Sequence, residues 1–365
     1  MSAAPKAGTA ARQGGTLERA AASTPTSLWN DSADLDELRQ SIAFGAVGAT
    51  CNPVIALAAI RRRPERWGNR VRELAREHPA WGESQLGWEV VAELSIEAAE
   101  LLLPAFAASG GRDGRLSIQT DPRLHRDPKA LVEQAVRFSG LAPNIIVKIP
   151  ATERGIAAME EAAYQGVSIN ATLSFTVAQA VTVGEALDRA HRRRASEGLA
   201  EREFGHVVTI MGGRLDDWLK IWVARREILT TPGVLDWAGV AALKRAHRIF
   251  VERGYSSRIL SAAFRNSLQW SELVGGDLVI SPPFEWQQRI EANGLIGEPR
   301  IDEPVPASIL SELLTLEEFR RAYEPDGLRI EEFGEFGAAR TTLRQFLDAD
   351  AQLDAFVRDI LIPAP

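Results

Sequence analysis

Cysteine is almost absent from this 365-residue chain: Cys51 stands alone, so neither an intrachain disulfide nor a cysteine-based metal site can form. Histidine is sparse as well. His78, His125, His191, His206 and His247 are scattered without HxxxH spacing, which removes the usual zinc signature. A basic excess is missing too: 42 Lys+Arg against 49 Asp+Glu give a net charge of −7, the wrong sign for a chain whose main partner is nucleic acid. Uninterrupted apolar runs are also missing. Ser41–Ile60 and Tyr164–Gly184 are free of charge over about the length of a membrane span, but Gly45, Gly48, Asn52 and Pro53 break the first. Gln165, Asn170, Thr172, Ser174 and Gln179 break the second, so both read as buried strand–helix pairs rather than membrane segments. Lysine is the scarcest charged residue. Lys6, Lys129, Lys148, Lys220 and Lys244 are the only lysines, and arginine supplies the other 37 basic residues.

What remains is an ordinary globular composition, 45% hydrophobic and 25% charged. Its length suits either two domains of about 150 residues or one (β/α)8 barrel, which runs from roughly 200 to over 400 residues. Residues 1–26 are rich in Ala, Ser, Thr and Gly, lack the apolar core of a signal peptide, and read as a disordered arm. From Ser27 onward, short β-rich runs alternate with helical patterns. The expected strands are Ser27–Asp31, Gly48–Asn52, Arg115–Thr120, Asn144–Pro150, Gly166–Thr172, His206–Met211, Ser257–Phe264 and Asp277–Ser281. The helices between them are Asp34–Phe44, Pro53–Arg62, Pro64–His78, Trp88–Ala108, Asp127–Gly140, Thr152–Gly166, Thr176–Gly198, Leu215–Thr230 and Trp237–Gly254.

Asn144-Ile145-Ile146-Val147 is apolar without alternation, as a parallel strand covered by helices should be. Eight strand–helix repeats favour an α/β fold of the (β/α)8 TIM-barrel type over residues 27–292. A doubly wound open sheet is the alternative, but no GxGxxG follows a strand. Beyond Ser281 the pattern is helical only, through Pro283–Gly294, Ser308–Tyr323 and Glu331–Ile360. Residues 293–365 therefore read as a C-terminal helical extension.

In such barrels the reactive groups sit at the C-terminal strand ends. Here those ends are polar: Asp31, Asn52, Gln119, Lys148, Asn170 and Thr172 close the first five strands, while Arg214 and Arg265 follow the sixth and seventh. Lys148 alone among the lysines lies inside an apolar strand. Burial disfavours its charged form, and a neutral amine can attack a carbonyl to give a Schiff base. A structural lysine–carboxylate pair is the competing reading. Asp31 is either a proton-transfer group or a helix cap, and Asn52 before Pro53 is either a cap or a ligand of a substrate hydroxyl. Arg214 and Arg265 suit a phosphate monoester, with Gly212-Gly213 allowing close backbone approach; solvated surface arginine is the alternative.

The segment Ser27–Ser281 resembles the transaldolase family of class I, Schiff-base-forming aldolases. Ser27-Leu28-Trp29-Asn30-Asp31 is similar to that family's first strand, which ends in an acid–base aspartate. Gly48-Ala49-Thr50-Cys51-Asn52-Pro53 resembles its T-[ST]-N-P turn, and Val147-Lys148-Ile149-Pro150-Ala151-Thr152 resembles its Schiff-base lysine signature. Asn170-Ala171-Thr172-Leu173-Ser174-Phe175 with Gln179-Ala180 fits its N-x-T-L-x-F…Q-A motif.

The resemblance implies imine formation at Lys148, proton transfer by Asp31, and donor hydroxyls held by Asn52 and Asn170. It further implies a water held by Thr172, Thr209 in the substrate pocket, and acceptor phosphate on Arg214 and Arg265. The implied activity is transfer of a three-carbon dihydroxyacetone unit between sugar phosphates, in the pentose phosphate pathway of the cytoplasm. The enzyme would work without cofactor or metal, as a monomer or homodimer.

Three departures stand out. Gln119 replaces the family's strand-three glutamate, as in the related fructose-6-phosphate aldolases. Ala263 replaces a serine before Phe264-Arg265. Met211 stands where the family has an aromatic, with Thr209 in place of serine. Glutamine can hold a water but cannot relay a proton as a carboxyl does. Gln119 therefore keeps open a second reading, an aldolase that releases the three-carbon ketone or acts on a different sugar.

Overall fold

The computed structural model describes residues 15–200, 203–295 and 297–363. Eight parallel strands carry the fold: β1 (Ser27–Leu28), β2 (Gly48–Thr50), β3 (Arg115–Gln119), β4 (Ile145–Pro150), β5 (Ile169–Thr172), β6 (Val207–Met211), β7 (Arg258–Ala262) and β8 (Val279–Ile280). Each pairs with its sequence neighbour, and β8 pairs with β1. A parallel bridge between Asn30 and Ala49 closes the ring, with Asn30 N donating to Gly48 O at 2.8 Å and Thr50 N to Asn30 O at 2.8 Å. The result is a (β/α)8 barrel.

The helices are α1 (Thr16–Ser23), α2 (Leu35–Ala43), α3 (Pro53–Arg62), α4 (Pro64–Glu77), α5 (Glu83–Ala108), α6 (Pro128–Ser139), α7 (Glu153–Tyr164), α8 (Val177–Ser196), α9 (Gly212–Ala224) and α10 (Ala238–Arg253). They continue with α11 (Leu268–Ser271), α12 (Phe284–Asn293), α13 (Ala307–Leu313), α14 (Glu317–Tyr323) and α15 (Gly337–Leu361). Six helix starts follow from local chemistry. Asp34, Asn52, Asp127, Thr152 and Thr176 each accept backbone N–H bonds at the first turn of α2, α3, α6, α7 and α8. Proline opens α3, α4 and α6, where its missing N–H costs nothing.

Four expectations are corrected. Residues 1–14 lie outside the described residues, but the rest of the expected arm contains α1. Its free N–H groups at Thr16 and Leu17 are capped by the Glu291 carboxylate of α12, at 2.9 and 2.6 Å. That cap comes from 275 residues away, so no local signal announces it. The helix expected at Leu215–Thr230 starts three residues earlier, at Gly212, and ends at Ala224. The one expected at Ser308–Tyr323 breaks into α13 and α14 around Thr315, where Arg320 donates back to Leu314 O at 2.8 Å. The one at Glu331–Ile360 becomes a 3₁₀ turn, Ile330–Glu335, followed by α15, because Phe336 is extended (ψ 133°).

Inward side chains form layers, as the two-residue strand period requires. The middle of the barrel is apolar: Trp29, Ile146, Val207, Leu260, Ala262 and Val279 pack together. Beneath it, buried Arg258 bonds Ser27 Oγ at 2.9 Å and Asp113 at 3.0 Å. Above it lie the polar strand ends. Helix α15 packs on α9 after β6 and on α3, α5 and the turn after β3, so it reaches the C-terminal mouth from opposite sides of the ring. Among the described residues, no helix is long and apolar enough to cross a membrane.

Trp29 fits the barrel only because Gly48 faces it. A Cβ at Gly48 would lie 2.4 Å from the indole Cε2. Gly48→Ala should therefore destabilise the fold by about 1–3 kcal/mol through overpacking. A thermal melt of both proteins checks this, and an unchanged midpoint would refute the packing argument.

Candidate active site

Register sets the site. Lys148 on β4 pairs through its backbone with Gln119 on β3 and Asn170 on β5, so the three side chains stand side by side on the inner face. Lys148 is 2% exposed. Burial is the largest influence on its amine and pushes the pKa down; Asp31 and Cys51 oppose that, and Arg214 adds to it.

Asp31 leaves the end of β1, its N–H bonded to Pro282 O at 3.2 Å, and its Oδ1 accepts the Thr50 hydroxyl. Burial raises its pKa, against the pull of Lys148, the Thr50 hydrogen bond, Arg214 and Arg265. Burial thus draws Lys148 toward the neutral amine and Asp31, which is half-buried by surface exposure, toward the neutral acid. A cavity of about 240 Å³ touches Asp31 between α2, α3 and the start of α12. Cys51 is buried, and its thiol is pushed up to about 12, chiefly by desolvation.

Asn170 bridges two strands. Its Nδ2 donates to Ser117 Oγ at 2.9 Å, and its Oδ1 accepts Thr209 Oγ1 at 2.7 Å. The structure thereby brings together Lys148, Asp31, Gln119, Asn170, Thr172 and Thr209 at one barrel end. Thr172 is fully buried, its hydroxyl 4.0 Å from Met211 Sδ. Gln119 is 3% exposed, and among the described residues its carbonyl oxygen has no hydrogen-bond partner. Asn52 has its Oδ1 committed to capping α3, with Val54 N at 3.0 Å and Ile55 N at 3.1 Å. Its amide nitrogen is the part left to bind a hydroxyl. The cap of α2 is Asp34, not Asp31, which leaves Asp31 for chemistry.

Arg214 and Arg265 lie close enough that Arg265 helps push the Arg214 pKa down, after burial. Gly213 makes that approach possible: a Cβ there would sit 1.8 Å from Ala263 O and 2.7 Å from Arg265 Cγ. Arg265 is 40% exposed and bonds Asp217 at 2.8 Å, so part of its charge is already answered.

Sequence reasoning missed the supports of these loops. Leu173 and Ala263 adopt positive φ (47° and 64°) just beyond β5 and β7, a strained conformation for residues with a side chain. Fully buried glutamines hold both turns. Gln179 Nε2 donates to Leu173 O and Ala151 O, each at 2.9 Å. Gln269 Oε1 accepts the backbone N–H of Arg265 at 2.5 Å, and its Nε2 donates to Ala263 O at 3.4 Å. A third, Gln287, links Asn30 Oδ1 (2.8 Å), Pro282 O (3.0 Å) and Ser41 Oγ (2.5 Å) beside β1 and β8. Gln179 sits in a recognisable motif; Gln269 and Gln287 carry no local mark.

Comparison with known proteins agrees with this geometry. The family model described as Transaldolase/Fructose-6-phosphate aldolase matches residues 28–324, which leaves α15 beyond the match. The chain is similar to a transaldolase of Thiobacillus denitrificans, 32% identical over 250 residues, covering 65% of this chain and 68% of that protein. It is similar to transaldolase 1 of Streptomyces coelicolor, 34% identical over 202 residues, and there it spans about half of the relative (51%, against 55% of this chain). A transaldolase of Prochlorococcus marinus is 28% identical over 299 residues, 79% of this chain and 80% of that protein. With a buried strand-four lysine beside a strand-one aspartate and a family match across most of its length, the chain belongs to the transaldolase/fructose-6-phosphate aldolase family.

Proposed function

We propose that this transaldolase-type enzyme takes a dihydroxyacetone unit from a ketose phosphate, holds it on Lys148, and passes it to an aldose phosphate. The observation that carries the reading is the enclosed Lys148 amine, drawn toward its neutral, nucleophilic form by burial and placed beside Asp31. The neutral amine adds to the ketose C2 carbonyl, and the carbinolamine hydroxyl takes up a proton through the site's water and leaves as water, giving an iminium. That fixed positive charge beside Asp31 lowers the aspartate's pKa and makes it a carboxylate when a base is needed. Asp31 then takes the C4 hydroxyl proton as the C3–C4 bond breaks. The bonding electrons pass into the iminium, leaving an enamine, and the aldose phosphate departs. The enamine carbon attacks the carbonyl of a second aldose phosphate, Asp31 returns the proton to the new alkoxide, and water frees the product.

Asn170, pre-oriented between Ser117 and Thr209, and the amide nitrogen of Asn52 are placed for the donor's hydroxyls. Thr172 and Gln119 flank the water lost and regained at C2, while Arg214 and Arg265 take the acceptor's phosphate. In this reading the iminium on Lys148 is the electron sink and no cofactor is called for, and the reaction fits the pentose phosphate pathway.

A second reading rests on Gln119, whose unpartnered buried oxygen can hold a water but cannot deliver a proton. In that reading the enzyme releases free dihydroxyacetone rather than handing it on.

Borohydride reduction in the presence of fructose 6-phosphate should add the three-carbon mass to Lys148, and Lys148→Met should abolish the adduct. Labelling at Lys129 or Lys220 instead would overturn the assignment. Asp31→Asn should still trap an imine yet slow C3–C4 cleavage about 10²–10⁴-fold, the usual contribution of a general acid–base group; normal turnover would remove Asp31 from the mechanism. Gln119→Glu, assayed on fructose 6-phosphate with erythrose 4-phosphate, should raise transfer about tenfold, roughly 1.4 kcal/mol of barrier. A fall in transfer, with free dihydroxyacetone as the main wild-type product, would favour the aldolase reading.

A further inference from the structure

Arg214 is held by a part of the chain that lies outside the family match. Its Nη1 donates to Thr342 Oγ1 at 3.3 Å and to Gln345 Oε1, and the Phe346 ring packs 5.9 Å from its guanidinium carbon. All three residues lie on α15, 128 or more positions further along the chain. Thr342 is 1% exposed, whereas Gln345 is exposed.

Both acceptors are neutral. Among the described residues, no carboxylate lies within 4.0 Å of Arg214, while Arg265 has Asp217 at 2.8 Å. Arg214 is therefore a half-buried cation beside a second guanidinium, with Asp31 and Asp217 acting on it only from beyond contact distance. Such an arrangement is unfavourable until an anion arrives. Nη1 is occupied by two acceptors, and among the described residues no hydrogen bond takes Nε or Nη2, the edge that matches two phosphate oxygens.

The seat of α15 is built for this. A Cβ at Gly337, its first residue, would lie 1.9 Å from the Trp218 ring on α9, the helix that carries Arg214. Further along, Asp350 and Asp354 bond Arg123 at 2.9 and 3.2 Å, and Asp350 accepts Trp88 Nε1 at 3.1 Å. The helix is thus pinned on both sides of the mouth, and its two acceptors are fixed relative to Arg214.

We propose that Thr342 and Gln345 are positioning residues for substrate phosphate. They aim the Arg214 guanidinium and, because they are neutral, leave its charge for the sugar phosphate. The proposal deepens the sugar-phosphate reading above and rests on it.

The test uses the full-length enzyme and borohydride trapping at Lys148 with two donors, fructose 6-phosphate and unphosphorylated dihydroxyacetone, with inorganic phosphate as competitor. Gln345→Glu places a carboxylate on Arg214. It should raise the half-saturating fructose 6-phosphate concentration and the inhibition constant of inorganic phosphate by about threefold or more, the modest size reflecting an exposed pair. The dihydroxyacetone concentration dependence should change by clearly less. Thr342→Val should shift the same two phosphate-dependent values, and Thr342→Ser should restore them; melting midpoints identify any variant that has lost its fold. Equal shifts for both donors, or tighter phosphate binding in Gln345→Glu, would overturn the role of α15. Absence of any wild-type adduct at Lys148 would instead overturn the underlying Schiff-base reading.

Discussion

The amine of Lys148 is the constraint on which the site depends. An ammonium group enclosed in a barrel is costly, and the surrounding protein answers that cost by favouring the neutral form rather than by supplying a tight ion pair. Asp31 is shifted the opposite way by the same cause, so burial works against the charged form of both groups. Below them the barrel is apolar and well filled, with Trp29 against Gly48. Level with Lys148 the side chains are polar, with Asn170 bonded to Ser117 and Thr209. Reactivity belongs to the boundary between those layers, where a group is dry enough to be neutral and still reaches a substrate.

That boundary must also be rigid, since misplaced groups lose much of the advantage of pre-orientation. Left-handed turns at Leu173 and Ala263 leave strand ends whose carbonyls and N–H groups have no ladder partner. Gln179, Gln269 and Gln287 meet that need. An amide is suited to the task because it donates and accepts at once, and it adds no charge near Lys148 and Asp31. Gln119 differs from these three: among the described residues its buried oxygen, beside Lys148, has no partner.

The two arginines show how one residue type takes different states in one site. Arg265 reaches solvent and shares its charge with Asp217, whereas Arg214 is recessed, meets only neutral acceptors and packs near an aromatic ring. The second state depends on α15 crossing from α9 toward α3 and α5. The C-terminal helices are therefore continuous with the barrel's mouth, not an appendage beside it.

By itself the sequence determined the eight strand–helix repeats and the barrel class, and it singled out Lys148 as the candidate reactive group. Those are local properties: non-alternating apolar strands, caps at Asp34, Asn52 and Asp127, and one lysine in an apolar strand are all legible within a few residues. It marked Asp31, Asn52, Gln119, Asn170, Thr172, Thr209, Arg214 and Arg265 because each sits at or just after a strand end. It did not reveal α1, whose cap is Glu291, nor the break of the C-terminal helices, nor the commitment of the Asn52 oxygen to α3. The glutamine supports and the hold of Thr342 and Gln345 on Arg214 were equally invisible. Only tertiary structure decides such contacts. They join positions up to hundreds of residues apart, and they form only once barrel closure has brought those strand ends and α15 to the same place.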